Sequence, residues 1–124
     1  MWTNLGKLTD AAKNPDTVAL IDCLDFQHPR HYSHGQMDAL SDACARGLVK
    51  RGLKPGDTVA LIGINRAEYL IAYFAIMRAG MIAVPINYKL AAETVDLVLK
   101  DCAARLVIAD IERTICWIRV RSRP

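Results

Sequence analysis

The sequence lacks the long uncharged apolar run that a membrane-spanning helix needs. Its longest such run, Tyr69 to Met77, is well short of the roughly 20 residues that span a bilayer. The N-terminus, MWTNLGKLTD, also lacks the basic start and apolar core of a secretory signal. We therefore predict a cytoplasmic protein with no transmembrane segment.

Closely spaced cysteine pairs are also missing. Cys23, Cys44, Cys102 and Cys116 form no CxxC motif, and three of the four lie among apolar neighbours. Zinc sites and disulfide frameworks usually show paired or regularly spaced cysteines. The cysteines are therefore predicted to be buried free thiols in a reducing compartment.

What the chain does contain is enough apolar material for one modest domain. Of its 124 residues, 52% are hydrophobic and 23% are charged, which is typical of globular chains. The net charge of +3 is concentrated in the segment Ile111 to Pro124, which holds four arginines and one glutamate. The rest of the chain is neutral, so we predict no nucleic-acid partner.

A strand–helix–strand unit occupies the middle of the chain. Lys54-Pro55-Gly56-Asp57 has the composition of a type II turn, and Thr58 to Gly63 reads as a strand covered on both faces. Asn65 is predicted to cap a helix from Ala67 to Ala79 that is apolar almost all round and must be buried on several sides. Gly80 is predicted to follow the helix with a positive φ. Met81 to Val84 is predicted to be a second covered strand that Pro85 ends.

The N-terminal part predicts a helix, a hairpin and a longer helix. Leu5, Leu8 and Ala12 suggest a short helix, and Val18 to Asp22 a strand that pairs with His31-Tyr32. Ser33 and Gln36 form a capping box that starts the longer helix, which Gly52 ends. Its predicted buried stripe consists of Met37, Leu40, Cys44 and Leu48.

A third helix and strand follow the central unit. Ala91 to Cys102 is predicted to be a helix with Val95, Val98 and Cys102 facing inward, and Arg105 to Ala109 a third covered strand. Strands that alternate with helices indicate a parallel sheet with helices on both faces. We predict an α/β segment over residues 1–110 and a divergent basic tail over residues 111–124.

An ordered series of turn, cap and core residues carries a family resemblance. Gly52-Leu53-Lys54-Pro55-Gly56-Asp57-Thr58-Val59-Ala60 is followed by Asn65, Glu68, Ala79-Gly80 and Pro85-Ile86-Asn87. This series, within a similarity from about Pro15 to Asp110, resembles the N-terminal region of the adenylate-forming superfamily, which includes acyl-CoA synthetases. The resemblance implies a three-layer α/β fold with a mostly parallel sheet, as the N-terminal part of that family's large domain.

The resemblance also implies a ligase that activates a small carboxylic acid through an acyl-adenylate and passes it to coenzyme A. Such enzymes use ATP, Mg²⁺ and CoA, and they carry a phosphate loop of the type TSGTTGxPKG and a late catalytic lysine. The present sequence contains no such loop. No catalytic, cofactor-binding or metal-binding residue of the family is therefore assigned here, and the chain alone is predicted to be inactive.

Other candidate sites have simpler interpretations. Gly63-Ile64-Asn65 has the position but not the glycine spacing of a phosphate-binding turn, and His28, His31 and His34 suggest zinc but read better as solvated loop residues. Asn87 and Tyr88 follow a strand end, where ligands bind in open α/β sheets, although a plain connecting loop is favoured. The tail contains residues of types that contact nucleic acid, but a solvated tail is favoured because the rest of the chain has no basic face: Arg113, Trp117, Arg119, Arg121 and Arg123. Five acids form no evident acid–base pair, and each has a capping, turn or surface explanation: Asp10, Asp57, Glu68, Glu93 and Asp96.

Two other classes of function stay open alongside the ligase segment. One is a free-standing α/β interaction module whose partner covers an exposed sheet. The other is a small nucleotide-binding regulatory domain. The unpaired sheet edge and the apolar central helix also predict self-association of the isolated chain.

Overall fold

The structure, a computed structural model, describes residues 4–7, 14–111 and 114–119. Within these ranges the hairpin strands and the first helix come first, followed by a sheet that alternates with two more helices. The elements are β1 (Val18–Asp22), β2 (Arg30–Ser33), α1 (His34–Lys50), β3 (Thr58–Ile62), α2 (Ala67–Arg78), β4 (Ile82–Ile86), α3 (Ala92–Asp101), β5 (Leu106–Ile111) and β6 (Thr114–Arg119).

The larger sheet has the strand order β4-β3-β5-β6. Strands β4 and β5 flank β3 and both run parallel to it, which confirms the predicted parallel sheet. Strand β6 was not predicted, because the sequence suggested only a tail after residue 110. It pairs antiparallel with β5, from Leu106 opposite Arg119 to Ile111 opposite Thr114. The chain just past the predicted boundary is therefore part of the sheet.

Two apolar clusters form on the two faces of this sheet. Alternate side chains of β3 and β5 point to opposite faces, as strand geometry requires. Val59 and Leu61 join one cluster with α1 and α2, whereas Ala60 joins the other, against which the half-buried residues of α3 pack. Helices thus cover both faces, and the predicted three-layer α/β architecture is confirmed.

Helix α1 starts as predicted but buries a different stripe. Ser33 Oγ accepts from the Gln36 amide at 3.2 Å, and Gln36 Oε1 accepts from the Ser33 amide at 2.9 Å, so the capping box is complete. The buried residues are Met37, Ser41, Ala45 and Leu48. Leu40 is exposed and Cys44 is only half-buried, because small side chains let α2 approach α1 along Ser41 and Ala45.

The cap predicted for α2 is wrong. Arg66, not Asn65, occupies the N-cap position, and its side chain makes no capping hydrogen bond. The carboxylate of Asp22 takes that role from the end of β1, accepting from the Ala67 amide at 2.9 Å. At the other end, Gly80 has a φ of 71°, as predicted.

Pro85 lies within β4 and does not end it. The strand runs to Ile86, and Pro85 is paired with Leu61 of β3. The Ile82 amide donates to the Asp57 carbonyl, so the nitrogen of Pro85, three residues later, points away from β3. A proline is tolerated there because it loses no hydrogen bond of the ladder.

The N-terminal region forms the predicted hairpin, in which β1 and β2 pair antiparallel with Leu20 opposite Tyr32. The predicted helix around Leu5, Leu8 and Ala12 falls largely outside the described residues. Asn4 to Lys7 form a turn, closed by the Lys7 amide donating to the Asn4 carbonyl at 3.1 Å. None of the helices in the described ranges is long and apolar enough to cross a bilayer.

Candidate functional site

The carboxyl ends of the parallel strands meet the hairpin in a cluster of charged side chains. In open α/β sheets this edge is where ligands bind. Strand β3 leads there into α2, and Asp110 lies on the neighbouring strand β5. Gly63 allows the close approach, since a Cβ at that position would lie 3.0 Å from Asp110 Cβ. We define the ionic cluster as Asp22, Arg30, Arg66, Glu68 and Asp110.

Asp22 is the most enclosed member of the ionic cluster. Its side chain is 2% exposed. One carboxylate oxygen accepts from the Leu24 amide at 2.9 Å, and the other accepts from the Ala67 amide and from Arg30. A buried carboxylate needs such donors to stay ionised. Asp22 thereby ties the hairpin to the first turn of α2.

Two arginines connect Asp22 to the far side of the cluster. Arg30 donates to both oxygens of Glu68, at 2.7 and 3.0 Å. Arg66 donates from Nε to Glu68 at 2.8 Å and approaches Asp110 at 3.5 Å. The charges therefore alternate along one chain of contacts, from Asp22 through Arg30, Glu68 and Arg66 to Asp110.

The contacts fix the protonation of the carboxylates. Hydrogen bonding from Arg30, with a further contribution from Arg66, lowers the pKa of Glu68 to about 2 against the opposing effect of burial. Burial raises the pKa of Asp22, but hydrogen bonds from Ala67, Leu24 and Arg30 bring it below its usual value. Both side chains are ionised at neutral pH, so neither is suited to general acid–base catalysis, which needs a pKa near the working pH.

An apolar groove of about 640 Å³ runs beside the ionic cluster, between the hairpin and α2. Leu20, Leu24, Phe26, Tyr69 and Leu70 line it together with Arg66 and Asp22. Burial raises the pKa of the Tyr69 phenol, which therefore remains protonated. The groove offers apolar walls and one polar end whose charges already have partners.

Gly63-Ile64-Asn65 does not form a phosphate-binding turn of the usual kind. Such a turn presents free first-turn amides of the following helix to the anion. Here the Ala67 amide donates to Asp22, so the chain's own carboxylate takes the place of a phosphate oxygen. Asn65 is exposed and lies at the groove.

The structure does not bring the three histidines together. His28 Nδ1 contacts Asp25 at 3.0 Å in the exposed hairpin loop, His31 lies on β2 opposite Ile21, and His34 opens α1. Within the described ranges, no group of three or more histidine, cysteine, aspartate or glutamate side chains is placed to hold a metal ion.

Asn87 and Tyr88 lie where they were predicted, in the loop after β4. Asn87 Oδ1 accepts from the Lys89 amide at 2.9 Å, which shapes the loop. Tyr88 is 51% exposed, and the Lys89 ammonium lies 5.8 Å from its ring centroid. The loop is a turn with an exposed aromatic residue, and the ionic cluster does not include it.

The acidic candidates have separate surroundings. Asp57 accepts from the Lys54 amide in the turn before β3, Asp96 pairs with Lys100 on α3, and Glu93 lies in the first turn of α3. Asp10 falls outside the described residues. Of these five acids, only Glu68 belongs to the ionic cluster.

The tail candidates are only partly visible. Trp117 and Arg119 lie on β6, opposite Ile108 and Leu106. Arg113, Arg121 and Arg123 fall outside the described residues. A stretch that was read as solvated is thus built, over residues 114–119, into the edge of the sheet.

The sequence reasoning missed the ionic cluster as a unit. One signal was available, because Asp22 and Arg30 are directly opposite each other once the predicted hairpin is closed. Oppositely charged cross-strand neighbours attract each other. The link to Glu68, Arg66 and Asp110 depends on how the hairpin docks on the sheet, and no local pattern reveals that.

The chain is similar in sequence and in structure to known proteins. The family model described as "AMP-binding enzyme" matches residues 8–122. The long-chain-fatty-acid–CoA ligase FadD13 of Mycobacterium tuberculosis is 38% identical over 76 residues, which are 61% of this chain and 15% of FadD13. The oxalate–CoA ligase of Arabidopsis thaliana is 34% identical over 109 residues, 86% of this chain and 20% of that ligase.

A solved structure agrees with these matches. The inhibitor-bound N-terminal domain of FACL13 from Mycobacterium tuberculosis superposes with a TM-score of 0.79 at 31% identity, covering 87% of this chain and 27% of that domain. The chain therefore spans about a fifth or less of the length of these curated relatives and about a quarter of the matched domain.

Proposed function

Since this chain belongs to the AMP-binding enzyme family, we propose that it supplies the N-terminal α/β segment of an ATP-dependent ligase that joins a carboxylic acid to CoA. The observation that carries this proposal is the family match over residues 8–122, supported by the fold that the chain shares with the N-terminal domain of FACL13. In this proposal the parallel sheet, the hairpin and the ionic cluster form one part of that larger domain.

The complete enzyme would use ATP, Mg²⁺ and CoA, as the family does. The described residues do not fit these groups by themselves. The Ala67 amide that a phosphate would need is bonded to Asp22, the carboxylates of the ionic cluster are paired with arginines, and the sequence contains no phosphate loop of the family type. We therefore propose that other parts of the ligase hold the nucleotide, the metal ion and CoA.

The ionic cluster then has a supporting role. It fixes the hairpin and the start of α2 at the edge of the sheet where open α/β folds bind ligands. Because its carboxylates stay ionised and paired at neutral pH, it contributes geometry and not proton transfer. The acid substrate is proposed only as a class; FadD13 carries long-chain fatty acid in its name and the plant relative oxalate.

Two assays test the proposal. Carboxylate-dependent pyrophosphate exchange with ATP, measured across fatty and aromatic acids, is expected to show no turnover by the purified chain. Turnover above a no-protein control would refute the inactivity. In the second assay, the 76-residue segment of this chain that matches FadD13 replaces its counterpart in that enzyme, and the hybrid is expected to keep acyl-CoA synthesis. FadD13 lacking that segment is the control, and a cooperatively folded but inactive hybrid would count against the scaffold role.

The free-standing interaction module has one specific observation in its favour. No residue of α2 is exposed, although Leu70 and Ile71 are only half-buried, so the chain covers its most apolar helix better than we predicted. A phosphate-loop motif encoded downstream of codon 110 would favour the ligase segment, and its absence would favour the module. The small nucleotide-binding domain gains no comparable support.

Self-association in the cytoplasm remains part of the proposal. Its basis is the exposed apolar residues outside α2: Ile21 at 51%, Phe26 at 89% and Ile82 at 53% exposure. Exposed apolar surface of this kind recruits partners. Size-exclusion chromatography with light scattering at micromolar concentration is expected to show species larger than a monomer. A stable monomer that binds no hydrophobic dye would contradict this and would favour the module.

A further inference from the structure

A second groove lies at the opposite end of α2 from the ionic cluster, and its charged lining residues are mainly basic. Its volume is about 580 Å³, and its walls come from the turn before residue 8, from α1 and from the end of α2. Lys7, Arg46 and Lys50 supply positive charge, and Val49 supplies an apolar surface that is 55% exposed. We call this the basic groove.

The spacing of residues along α1 places several groove-lining side chains on one face of this helix. Asp42, Arg46 and Lys50 are four residues apart, and Ala45 and Val49 lie between them. Residues at i, i+3, i+4 and i+7 share one face of a helix. One stripe of α1 therefore carries two cations beside an apolar surface.

A network around Arg78 brings Lys7 to the same place. Arg78 Nε donates to the Gly6 carbonyl at 2.8 Å, and Asn4 Nδ2 donates to the Arg78 carbonyl at 3.2 Å. These bonds hold the turn that contains Lys7 against the end of α2. Lys7 and the α1 cations are about 40 positions apart in sequence, so no local pattern indicated their meeting.

Arg78 also forms ion pairs with two acidic side chains of α1. Its side chain is 3% exposed and lies 2.7 Å from Asp42 and 2.7 Å from Asp38. The carboxylate of Asp42, which lines the basic groove, is therefore already paired with the buried guanidinium of Arg78. Among the residues that the structure describes, Lys7, Arg46 and Lys50 have no carboxylate within ion-pair distance.

Folding accounts for only part of this arrangement. Lys50 suits the last turn of α1, where the helix dipole favours positive charge. Arg46 does not lie in that turn, and like charges at i and i+4 destabilise a helix. Lys7 adds a third cation to the same groove. A bound multivalent anion would convert this repulsion into attraction.

We propose that the basic groove binds a phosphate group, which Lys7, Arg46 and Lys50 hold while an adjacent apolar part of the ligand packs on Val49. Phosphate suits the site because it carries more negative charge than a carboxylate and accepts several hydrogen bonds at once. The ionic cluster cannot take this role, since its two arginines are already bonded to carboxylates.

Binding assays on the full 124-residue chain test this proposal. Inorganic pyrophosphate is titrated by calorimetry, and co-sedimentation is measured with phosphatidylglycerol vesicles and with phosphatidylcholine vesicles. Saturable binding of pyrophosphate identifies a soluble phosphate compound as the ligand. Binding to the anionic vesicles without competition by pyrophosphate identifies a lipid headgroup. Either result supports the phosphate site, whereas binding of neither probe overturns it.

Two sets of variants with equal charge loss distinguish binding at the basic groove from non-specific attraction by the net charge of the chain. Lys7→Gln, Arg46→Gln and Lys50→Gln together are expected to weaken binding by at least about tenfold, since hydrogen bonds to charged groups are worth that much. Lys54→Gln, Lys89→Gln and Arg105→Gln remove the same charge from exposed positions outside the groove and should leave affinity unchanged. Equal weakening by both sets would overturn the proposal, as would equal affinity for acetate. Unchanged melting temperatures in both sets show that the variants fold.

Discussion

On one face of the parallel sheet, α1 buries four residues and α2 five, whereas α3 on the other face buries none. The difference follows from the number of helices on each face. Two helices that pack on each other and on the sheet cover most of the apolar surface of α2, and no residue of α2 is exposed. A single helix leaves its flanks open, and Val95, Val98 and Leu99 remain half-buried.

The two faces also show what helix composition reveals. Helix α2 is apolar on nearly every side and needed a second helix over it, which α1 provides. Helix α3 keeps its charged residues on the outside, for example Asp96 paired with Lys100, and one face of apolar residues suffices for it. An all-round apolar helix thus predicts a two-helix layer, and an amphipathic helix predicts a single one.

Among the alanine substitutions, the largest effect is expected when a leucine is truncated on each face of the sheet. Leu61→Ala removes a side chain that is 1% exposed beneath α1 and α2, so it should cost about 2–5 kcal/mol of unfolding free energy. Leu99→Ala, on half-buried α3, should cost roughly half as much, because the site was already partly hydrated. Urea unfolding of both variants measures this, and equal losses would show that the faces are equivalent.

The next effect concerns the long-range cap at the start of α2. Asp22→Ala leaves the buried Ala67 amide without its acceptor, which should cost about 1–3 kcal/mol. The control is Asp101→Ala at the exposed end of α3, which should change stability by less than about 0.5 kcal/mol. A melting temperature for Asp22→Ala equal to that of the wild type would rule out the cap.

A smaller effect is expected where α2 ends. Gly80 has a φ of 71°, and a Cβ there would lie 3.4 Å from Pro55 Cβ. Gly80→Ala should therefore cost on the order of 1 kcal/mol, and Gly80→Val more, because the strain is in the backbone. Ala103, at the end of α3, already has a φ of 51°, so Ala103→Gly is a matched change that should stabilise the chain. Thermal unfolding gives both values.

The pH dependence of stability should follow Glu68 at the start of α2. Its pKa is about 2 in the folded chain and 4.5 ordinarily, so its contribution is present above about pH 4.5 and is lost as the pH falls toward 2. Glu68→Gln should cost less than about 1 kcal/mol at neutral pH, as partly exposed ion pairs do. The variant should also lose less stability between pH 4.5 and 2 than the wild type.

Denaturant unfolding at several pH values tests this dependence, with Glu93→Gln of α3 as the control. Glu93 has no arginine partner among the described residues, so its replacement should leave the pH profile unchanged. Profiles of Glu68→Gln and wild type that coincide would show that the ion pairs of Glu68 contribute nothing in solution.

The smallest effect is expected on the outer side of α3. Leu97 is 66% exposed, so Leu97→Glu should change the unfolding free energy of the isolated chain by no more than about 0.5 kcal/mol. The same change at Ile76 of α2, a fully buried residue, should prevent cooperative folding, since it buries an unpaired charge. A large loss from Leu97→Glu would indicate that something covers α3 in solution.

Much of the fold could be predicted because its signals act between near neighbours. The capping box of Ser33 and Gln36, the turn at Pro55-Gly56 and the positive φ of Gly80 each depend on a few adjacent residues. The parallel core of the sheet was predictable because apolar strand segments alternate with helical segments along the sequence. The errors came where a partner was distant: Leu40 was placed in the buried stripe, although packing against α2 selected Ser41 and Ala45.

The sequence by itself determined the β–α alternation, the ends of α1, the turn before β3 and the family resemblance, because steric limits on φ and short-range hydrogen bonds decide these locally. Only the tertiary structure decided that Asp22 caps α2, that Pro85 lies within β4, that β6 extends the sheet, and that Lys7 meets Arg46 and Lys50 in one groove. Each of these depends on which distant segments come into contact. The free energy of such a contact depends on both segments together, so it cannot be predicted from the sequence of either segment alone.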